Sequence, residues 1–356
     1  MTTLLAIDWG FLIEKLILIV AIISISMVIA MYETYAERKV AGWIQDRHGP
    51  NRAGPFGLFQ PLADGLKLFM KEEIIPNTSN KALFILGPCL AMLTALMTSA
   101  IIPWAGNIHF TLFGQDRIIS LQITDINIGI LYIFGVVSMG VYGIMIGGWA
   151  SNNKFSLMAA MRGASQVISY ELPMGLSLIA LLMLTGSLQL STIVGQQLDG
   201  WYNIIYQPLG FLIFLVCAFA ECNRTPFDLP EAENELNFGY HQEYSSMKLG
   251  FYLFAEYINM FISSVIMATL FFGGYDIPFV SDAGLVEKIG MNWTALIQAG
   301  SLMVKVGLLI FLFMWVRWTI PRFRYDQLMN LGWKKLIPLA LFNMLLTAAI
   351  VLLRNA

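Results

Sequence analysis

The stretch 221–235, ECNRTPFDLPEAENE, concentrates side chains that can hold and exchange protons. One cation, Arg224, lies among five carboxylates, which are Glu221, Asp228, Glu231, Glu233 and Glu235. The residues TPFDLPEAENE predict a helix start, with Asp228 as N-cap and Pro230 in the first turn. Glu231 and Glu235 would then share one helix face, where like charges repel. In a partly buried cavity such carboxylates retain protons at neutral pH and titrate as a coupled set.

A solvated acidic loop is the alternative interpretation of this stretch, as it is of most charge runs. Apolar residues alternate with the acids, however, and the stretch directly follows the apolar run PLGFLIFLVCAFA. Both features favour a partly buried position. Arg224 is three residues from Glu221 and four from Asp228, so we expect it to pair with one of them and to keep that carboxylate ionised.

Further charged residues lie in or beside apolar runs. Glu171 lies in RGASQVISYELPMGL, Glu256 in FYLFAEYINMF and Lys305 in GSLMVKVGLLIF, while Glu37 closes the first run. A charge at membrane depth costs about 2.5 kcal/mol or more on insertion scales, so it must be neutralised, paired or exposed to water. For Glu171 this predicts a proton-path carboxylate or a structural one bonded to a neighbouring helix. For Lys305 a structural ion pair and a functional role are both open.

The elements that carry these residues are predicted to be transmembrane helices. The chain has 356 residues, of which 57% are hydrophobic and 12% charged, whereas soluble domains carry about 25% charged residues. Runs long enough to cross about 30 Å of hydrocarbon lie near 11–32, 83–104, 127–149, 164–185, 204–220, 250–273, 299–319 and 337–353. The sequence therefore predicts an all-α polytopic membrane protein of about eight transmembrane helices, with one membrane domain, 1–356.

Basic residues predict the orientation of these helices. The loops 33–82, 150–163, 221–249 and 320–336, together with Arg317 at the adjoining end of the run 299–319, hold sixteen Lys and Arg residues, and the opposite side holds four, which are Lys15, Arg117, Lys288 and Arg354. The positive-inside rule places the first set of loops in the cytoplasm or matrix and both termini outside.

The loop 33–82 has a composition of its own. Its residues PLADGLKLFMKEE, which include Asp64 and Lys67, set Leu62, Leu66 and Phe69 on one helical face. This spacing predicts an amphipathic helix along the membrane interface. The cations of the loop include Arg38, Lys39, Arg47 and Arg52. An apolar cavity with a few charged groups suits a lipid-soluble molecule with a polar head.

Several classes of function are disfavoured. A net charge of −2 argues against nucleic-acid binding. Neither Cys89, Cys217 and Cys222 nor His48, His109 and His241 show a metal-ligand spacing, so we expect no metal, haem or iron–sulfur site. There is also no dinucleotide or phosphate-loop motif. If the chain takes part in redox chemistry, the electrons come from a partner.

Four long motifs in the chain are similar to those of a known family. ERKVAGWIQDRHGPNRAGPFGLFQPLADGLKLFMKE, AAMRGASQVISYELPMGLS, AECNRTPFDLPEAENEL and WVRWTIPRFRYDQLMNLGWK resemble the H subunits of bacterial NADH:quinone oxidoreductase, respiratory complex I, whose mitochondrial counterpart is NADH dehydrogenase subunit 1. The resemblance covers nearly the whole chain, with the motifs in the same order.

The resemblance implies a membrane subunit that forms much of the quinone chamber and couples quinone reduction to proton translocation. It implies that the chamber is bounded by the first span, the amphipathic helix and the sixth span. The matching chamber residues here are Glu37, Arg38, Lys39, Arg47, Arg52, Asp64, Lys67 and Glu256. The matching carboxylate relay is Glu171, Glu221, Asp228, Glu231, Glu233 and Glu235, with Arg162 and Arg224 as counter-charges.

The resemblance also implies the surroundings of the chain. This chain would bind no cofactor itself and would contact quinone as substrate, while NADH, FMN and iron–sulfur clusters belong to partner subunits. Peripheral quinone-module subunits would cover the cytoplasmic loops, and small membrane subunits would pack laterally in the bilayer. The expected location is the bacterial inner membrane, or the mitochondrial inner membrane for an organellar protein. The alternatives are a membrane subunit of an energy-converting hydrogenase, which uses no quinone, and a stand-alone ion transporter.

Overall fold

The chain folds as a bundle of long helices in this computed structural model, which describes residues 9–112, 115–197, 202–278, 280 and 282–355. The helices are α1 (Trp9–Ile44), α2 (Gln60–Met70), α3 (Lys81–Thr98), α4 (Gly129–Ala150), α5 (Lys154–Thr185), α6 (Leu190–Gln196), α7 (Asn203–Tyr206), α8 (Pro208–Glu221), α9 (Glu233–Leu236), α10 (Ser246–Phe271), α11 (Asp282–Ile289), α12 (Met291–Thr319), α13 (Tyr325–Asn330) and α14 (Ile337–Asn355). Short 3-10 segments lie at Pro55–Gly57, Ser99–Ile101 and Gly239–His241. A π-helical segment, Leu331–Leu336, joins α13 to α14.

Within the described residues, seven helical segments are long and apolar enough to cross a membrane. They are α1, α3, α4, α5, α10, α12 and the continuous segment Tyr325–Arg354. This confirms the predicted class of all-α polytopic membrane protein.

The apolar run near 204–220 forms two helices rather than one. Gln207 separates α7 from α8 with a non-helical backbone, φ −130° and ψ 54°, and Pro208 begins α8 because proline fits the first helical position without a backbone donor. The 14 residues of α8 rise only about 21 Å at about 1.5 Å per residue. This is less than the hydrocarbon thickness of about 30 Å, so a complete eighth crossing stays a prediction.

Two long helices extend past the apolar runs that predicted them. Helix α1 continues to Ile44, and α5 begins at Lys154. A charged residue ends the hydropathy signal, but it does not end the backbone hydrogen-bond ladder, which continues outside hydrocarbon. Much of the predicted loops 33–82 and 150–163 is therefore helical, and Glu37 and Arg162 are held on rigid elements.

Helix α10 lies at the centre of the bundle, with the largest buried share of the seven long segments, and it packs against α1, α3 and α12. Small residues allow the close approach of α3, α4 and α10, as is common between membrane helices. A Cβ atom on Gly87 or Gly147 would collide with the hydroxyl of Tyr252. That hydroxyl donates to the carbonyl of Gly143 at 3.0 Å, which fixes α10 against α4.

The predicted amphipathic segment forms α2, and it exposes Leu62, Leu66 and Phe69. Helix α2 contacts α1 and α10. The hydroxyl of Ser246, at the start of α10, donates to the Leu68 carbonyl of α2 at 3.1 Å.

A two-stranded antiparallel hairpin lies between α3 and α4, and the sequence analysis did not predict it. Strand β1 (Asn107–Leu112) pairs with β2 (Gln115–Ser120), with Asn107 opposite Ser120. The alternation of polar and apolar residues in NIHFTL was the available signal. The side-chain amide of Asn292 on α12 bonds to the backbone of His109 at 2.7 and 2.9 Å, which anchors the hairpin to the bundle.

Candidate functional site

The segment that follows α8 lies inside the bundle. Asn223, Arg224, Phe227 and Asp228 are all buried. Because α8 is short, the chain leaves it within the bundle rather than at the surface. A solvated acidic loop therefore does not describe residues 223–228.

The predicted helix start at Asp228 is wrong. Helix α9 begins at Glu233, with Ala232 at the N-cap position. The Asp228 carboxylate is bound instead by Arg322, whose Nη2 lies 2.7 Å from Oδ2. A tertiary ion pair has replaced local capping, so Glu231 lies in a turn and does not share a helix face with Glu235.

Glu37 of α1 is 6% exposed and is bound from three sides. The guanidinium of Arg317 on α12 lies 2.7 Å from Oε1. The hydroxyl of Tyr257 on α10 donates to Oε2 at 3.0 Å, and Nη1 of Arg224 lies 3.5 Å from the same oxygen. The ion pair of Arg224 is thus with Glu37, not with Glu221 or Asp228 as expected. The cluster joins α1, α10, α12 and the loop after α8.

Arg224 is the central cation of this cluster. It is 5% exposed, and its guanidinium carbon lies 4.1 Å from the ring centre of Tyr257, a cation–π distance. Burial lowers the pKa of Arg224, but Tyr257, Glu37, Glu256 and Glu231 outweigh burial and hold the pKa well above its usual value. Arg224 therefore carries its charge throughout the physiological pH range.

Glu256 of α10 faces the same region from the other side. It is buried, and the hydroxyl of Tyr240 donates to its Oε1 at 3.1 Å. The carboxylates of Glu231 and Asp228 repel it, and Arg224 attracts it. These charges form one electrostatically coupled group.

Asp228 is the carboxylate of the loop whose titration is most clearly displaced. Burial, reinforced by repulsion from Glu231 and opposed by Arg322 and Arg224, raises the pKa of Asp228 to about 8. Its Oδ1 has no hydrogen-bond partner within the described residues. The charge of Glu231 therefore acts directly on the titration of Asp228, and the two groups do not ionise independently.

Glu171 of α5 and Glu221 at the end of α8 form a second group and repel each other. Ser138 of α4 bonds to the Glu171 carboxylate. One buried oxygen of each carboxylate, Oε1 of Glu171 and Oε2 of Glu221, has no partner within the part of the chain that the structure describes.

A cavity of about 80 Å³ lies between α3, α4, α5, α8 and α10. Its wall is mostly apolar, and both Glu221 and Glu256 border it. The other polar side chains in its wall are Thr94, Thr98, Asn223, Tyr240, Tyr252, Asn259 and Ser263. The cavity thus lies between Glu256 and Glu221.

The remaining predicted chamber residues lie nearer the surface. Arg38 pairs with Asp64 at 2.6 Å, and Lys67 lies 3.8 Å from the same carboxylate, which ties α1 to α2. The ammonium of Lys39 lies 5.6 Å from the ring centre of Tyr35. Arg47 and Arg52 are exposed, and Arg47 bonds to Gln45 at 2.7 Å.

The predicted counter-charge Arg162 pairs with Glu235 at 2.5 Å on the exposed side of the loop. The side chain of Glu233 lies outside the described residues. Of the six predicted relay carboxylates, Glu235 is thus held apart from the buried groups.

Sequence reasoning missed several members of the buried cluster, which are Glu33, Tyr240, Tyr257, Arg317 and Arg322. Glu33 could have been found from its spacing, because it precedes Glu37 by four residues on one helix and so shares its face. The tyrosines and the two arginines carry no local signal, since they reach the site from distant parts of the chain.

Lys305 makes backbone contacts rather than facing the cavity. Its ammonium donates to the carbonyls of Phe272, Gly274 and Asp276 at 2.6–2.9 Å. These carbonyls belong to the turn just beyond the end of α10. Lys305 therefore fastens α12 to the turn that follows α10, which supports the structural interpretation of this residue.

Comparison with known proteins gives a consistent result. A family model described as NADH dehydrogenase matches residues 16–348. An H subunit of NADH-quinone oxidoreductase from Cytophaga hutchinsonii is 65% identical over 343 residues, 96% of this chain and 98% of the relative. The H subunit from Flavobacterium johnsoniae is 63% identical, and the match covers 96% of both chains. The H subunit from Leptospira biflexa is 48% identical, and the match covers 94% of both chains.

Proposed function

The chain belongs to the NADH dehydrogenase family, together with the H subunits of NADH-quinone oxidoreductases, and on this premise we propose that it forms the quinone-binding chamber of the complex and couples quinone reduction to proton translocation. It is a multi-pass membrane subunit of an enzyme complex. NADH, FMN and iron–sulfur clusters are assigned to partner subunits, and quinone is the substrate that this chain contacts.

The observation that carries the proposal is the cavity bordered by Glu221 and Glu256. A cavity can hold a water when it offers about 10–15 Å³ of free volume and two to four polar partners. About 80 Å³ with several polar side chains in the wall meets both conditions for a few waters. Protons could then pass along this water between the Glu256 group and the Glu171–Glu221 pair.

The proposed position of the quinone headgroup is between helices α1, α2 and α10. Helices α1, α2 and α10 contact one another, and the Arg38–Asp64 pair holds α1 to α2. Glu37 and Glu256 lie on the α1 and α10 faces that meet at Arg224. Reduction of a quinone consumes protons and changes charge, and in a low-dielectric interior such a change is felt strongly by neighbouring carboxylates.

The exposed loops are the surface for the partner subunits. We propose that loops 33–82, 150–163, 221–249 and 320–336 face the cytoplasm, with both termini outside, and that peripheral quinone-module subunits bind there. Small membrane subunits would pack laterally against helices such as α1, few of whose apolar residues are buried inside the bundle. The location would be the bacterial inner membrane.

Glu231→Gln and Glu171→Gln test the relay in the assembled complex. Each substitution keeps the shape and removes the titration, so we expect proton pumping per electron to fall and quinone-reductase turnover to drop about fivefold or more. Glu287→Gln, at an exposed site on α11, is the matched control. If both variants pump and turn over like the native complex, the relay role is wrong.

Arg52→Ala tests the chamber. Arg52 is exposed in the turn before α2, so its loss should leave the bundle intact and raise the KM for quinone about threefold to tenfold, as expected when one charge-assisted hydrogen bond is lost. Lys71→Ala, an exposed cation on the same loop, is the control. Unchanged quinone kinetics with a normal amount of assembled complex would remove Arg52 from the chamber.

A further inference from the structure

Glu33 is a buried acid that neither the sequence motifs nor the predicted relay includes. It lies one helical turn before Glu37 on α1 and is 4% exposed. Neither of its carboxylate oxygens has a hydrogen-bond partner within the described residues. A carboxylate kept for structure alone would be hydrogen-bonded, because burying an unpaired charge is costly.

The charged groups that act on Glu33 are Arg224 and Glu37. The thiol of Cys222, which bonds to Ser263, also lies within its electrostatic reach. Arg224 is therefore the cation available to Glu33.

Arg224 has unused hydrogen-bonding capacity. Its Nε and Nη2 are buried without a hydrogen-bond partner among the described residues, and only Nη1 contacts Glu37, at 3.5 Å. Glu37 has closer partners in Arg317 and Tyr257, at 2.7 and 3.0 Å. The guanidinium can thus turn toward Glu33 without leaving Glu37 unpaired.

We propose that Glu33 is a proton-holding site, and that Arg224 is shared between Glu33 and Glu37. In one state Glu33 is a neutral acid and Arg224 balances the Glu37 carboxylate. In the other, the proton has moved to Glu37, and Arg224 balances the Glu33 carboxylate with its free N–H groups. One proton changes sites and the total charge of the three residues is constant. The inference rests on the proposed function and adds a site to it on the α1 side of the cluster.

The experiment uses three variants of the assembled complex. Glu33→Gln removes the proton site, Glu33→Asp shortens the side chain but keeps it, and Glu14→Gln is the same change near the other end of α1. We expect Glu33→Gln to lower quinone-reductase turnover about fivefold and to reduce the protons pumped per electron. Glu33→Asp should retain more activity than Glu33→Gln, and Glu14→Gln should behave as native.

The redox-difference infrared spectrum provides a second readout. A carbonyl band of a protonated carboxylic acid should be lost in Glu33→Gln and shifted in Glu33→Asp. The proposal is overturned if the band and the pumping ratio are native in Glu33→Gln, because the proton site is then dispensable. It is also overturned if Glu33→Asp is the worse of the two variants or if neither variant assembles, because packing alone would explain either result. A native Glu33→Gln beside impaired Glu231→Gln and Glu171→Gln would remove Glu33 and leave the proposed function standing.

Discussion

Replacing Arg224 by Met is expected to slow quinone reduction by the assembled complex about 100-fold. The side chain is 5% exposed and balances Glu37, Glu256 and Glu231 at once. Removing one partner of a buried ion pair costs about 3–5 kcal/mol because charges are left uncompensated. The carboxylates would instead take up protons, and the cluster would no longer respond to charge at the quinone. Steady-state quinone-reductase activity, normalised to the amount of assembled complex, measures this effect.

Arg324→Met is the matched control, because Arg324 is exposed and lies 3.8 Å from Asp326. Such a surface pair contributes little, so its turnover should be close to native. Arg224→Lys should be intermediate, since lysine keeps the charge but lacks the planar fork that can serve two carboxylates. If Arg224→Met retains more than half of the native turnover with a normal proton ratio, the buried cation has no coupling role.

The sequence was sufficient to predict the long apolar helices and the amphipathic segment, because both follow from periodicity and length over many residues. It was also sufficient to single out Glu37, Glu171, Glu221 and Glu256, because a charge in an apolar run is costly wherever it lies. These inferences depend on one segment at a time. They hold without knowledge of which helices are neighbours.

The pairing of the charges could not be predicted in the same way. Arg224 lies 187 residues from Glu37 in the chain, and Arg322 lies 94 residues from Asp228. Local reasoning assigned Arg224 to its sequence neighbours and Asp228 to a helix cap, because those were the partners in view. Tertiary ion pairs replaced both, since the short α8 carries the following segment into the bundle.

The two arginines are distributed unequally among the buried acids. Arg224 lies within 221–235 and pairs with Glu37 of α1, whereas Arg322 comes from the segment after α12 and pairs with Asp228. Each cation lies within salt-bridge distance of one carboxylate, and Arg224 also attracts Glu256 and Glu231 from farther away. Such unequal compensation favours a neutral acid beside a charged one, which is the arrangement that the proposed relay requires.

Asp228→Asn is expected to lower turnover about thirtyfold at pH 7 and to remove a pH dependence of the native complex. With its pKa raised to about 8, the native carboxyl group is mostly protonated at neutral pH and hydrogen-bonded to Arg322, and its ion pair with Arg322 is complete only as the pH rises through about 8. In the unfolded chain the same group ionises near pH 4, so the native state binds more protons between about pH 4 and 8. Its contribution to stability is therefore complete at low pH and is lost as the pH rises through 8.

The native quinone-reductase activity should accordingly fall above pH 8, where a second negative charge appears beside Glu231. Asparagine is neutral at every pH, so the low residual activity of Asp228→Asn should not change across pH 7–9. Asp326→Asn is the control, because Asp326 is an exposed, ion-paired aspartate and should retain the native profile. A variant Asp228→Asn with native turnover and the native fall above pH 8 would assign that titration to another group. The loop would then hold Asp228 for its ion pair with Arg322 alone, and the interaction of Asp228 with Glu231 would play no part in coupling.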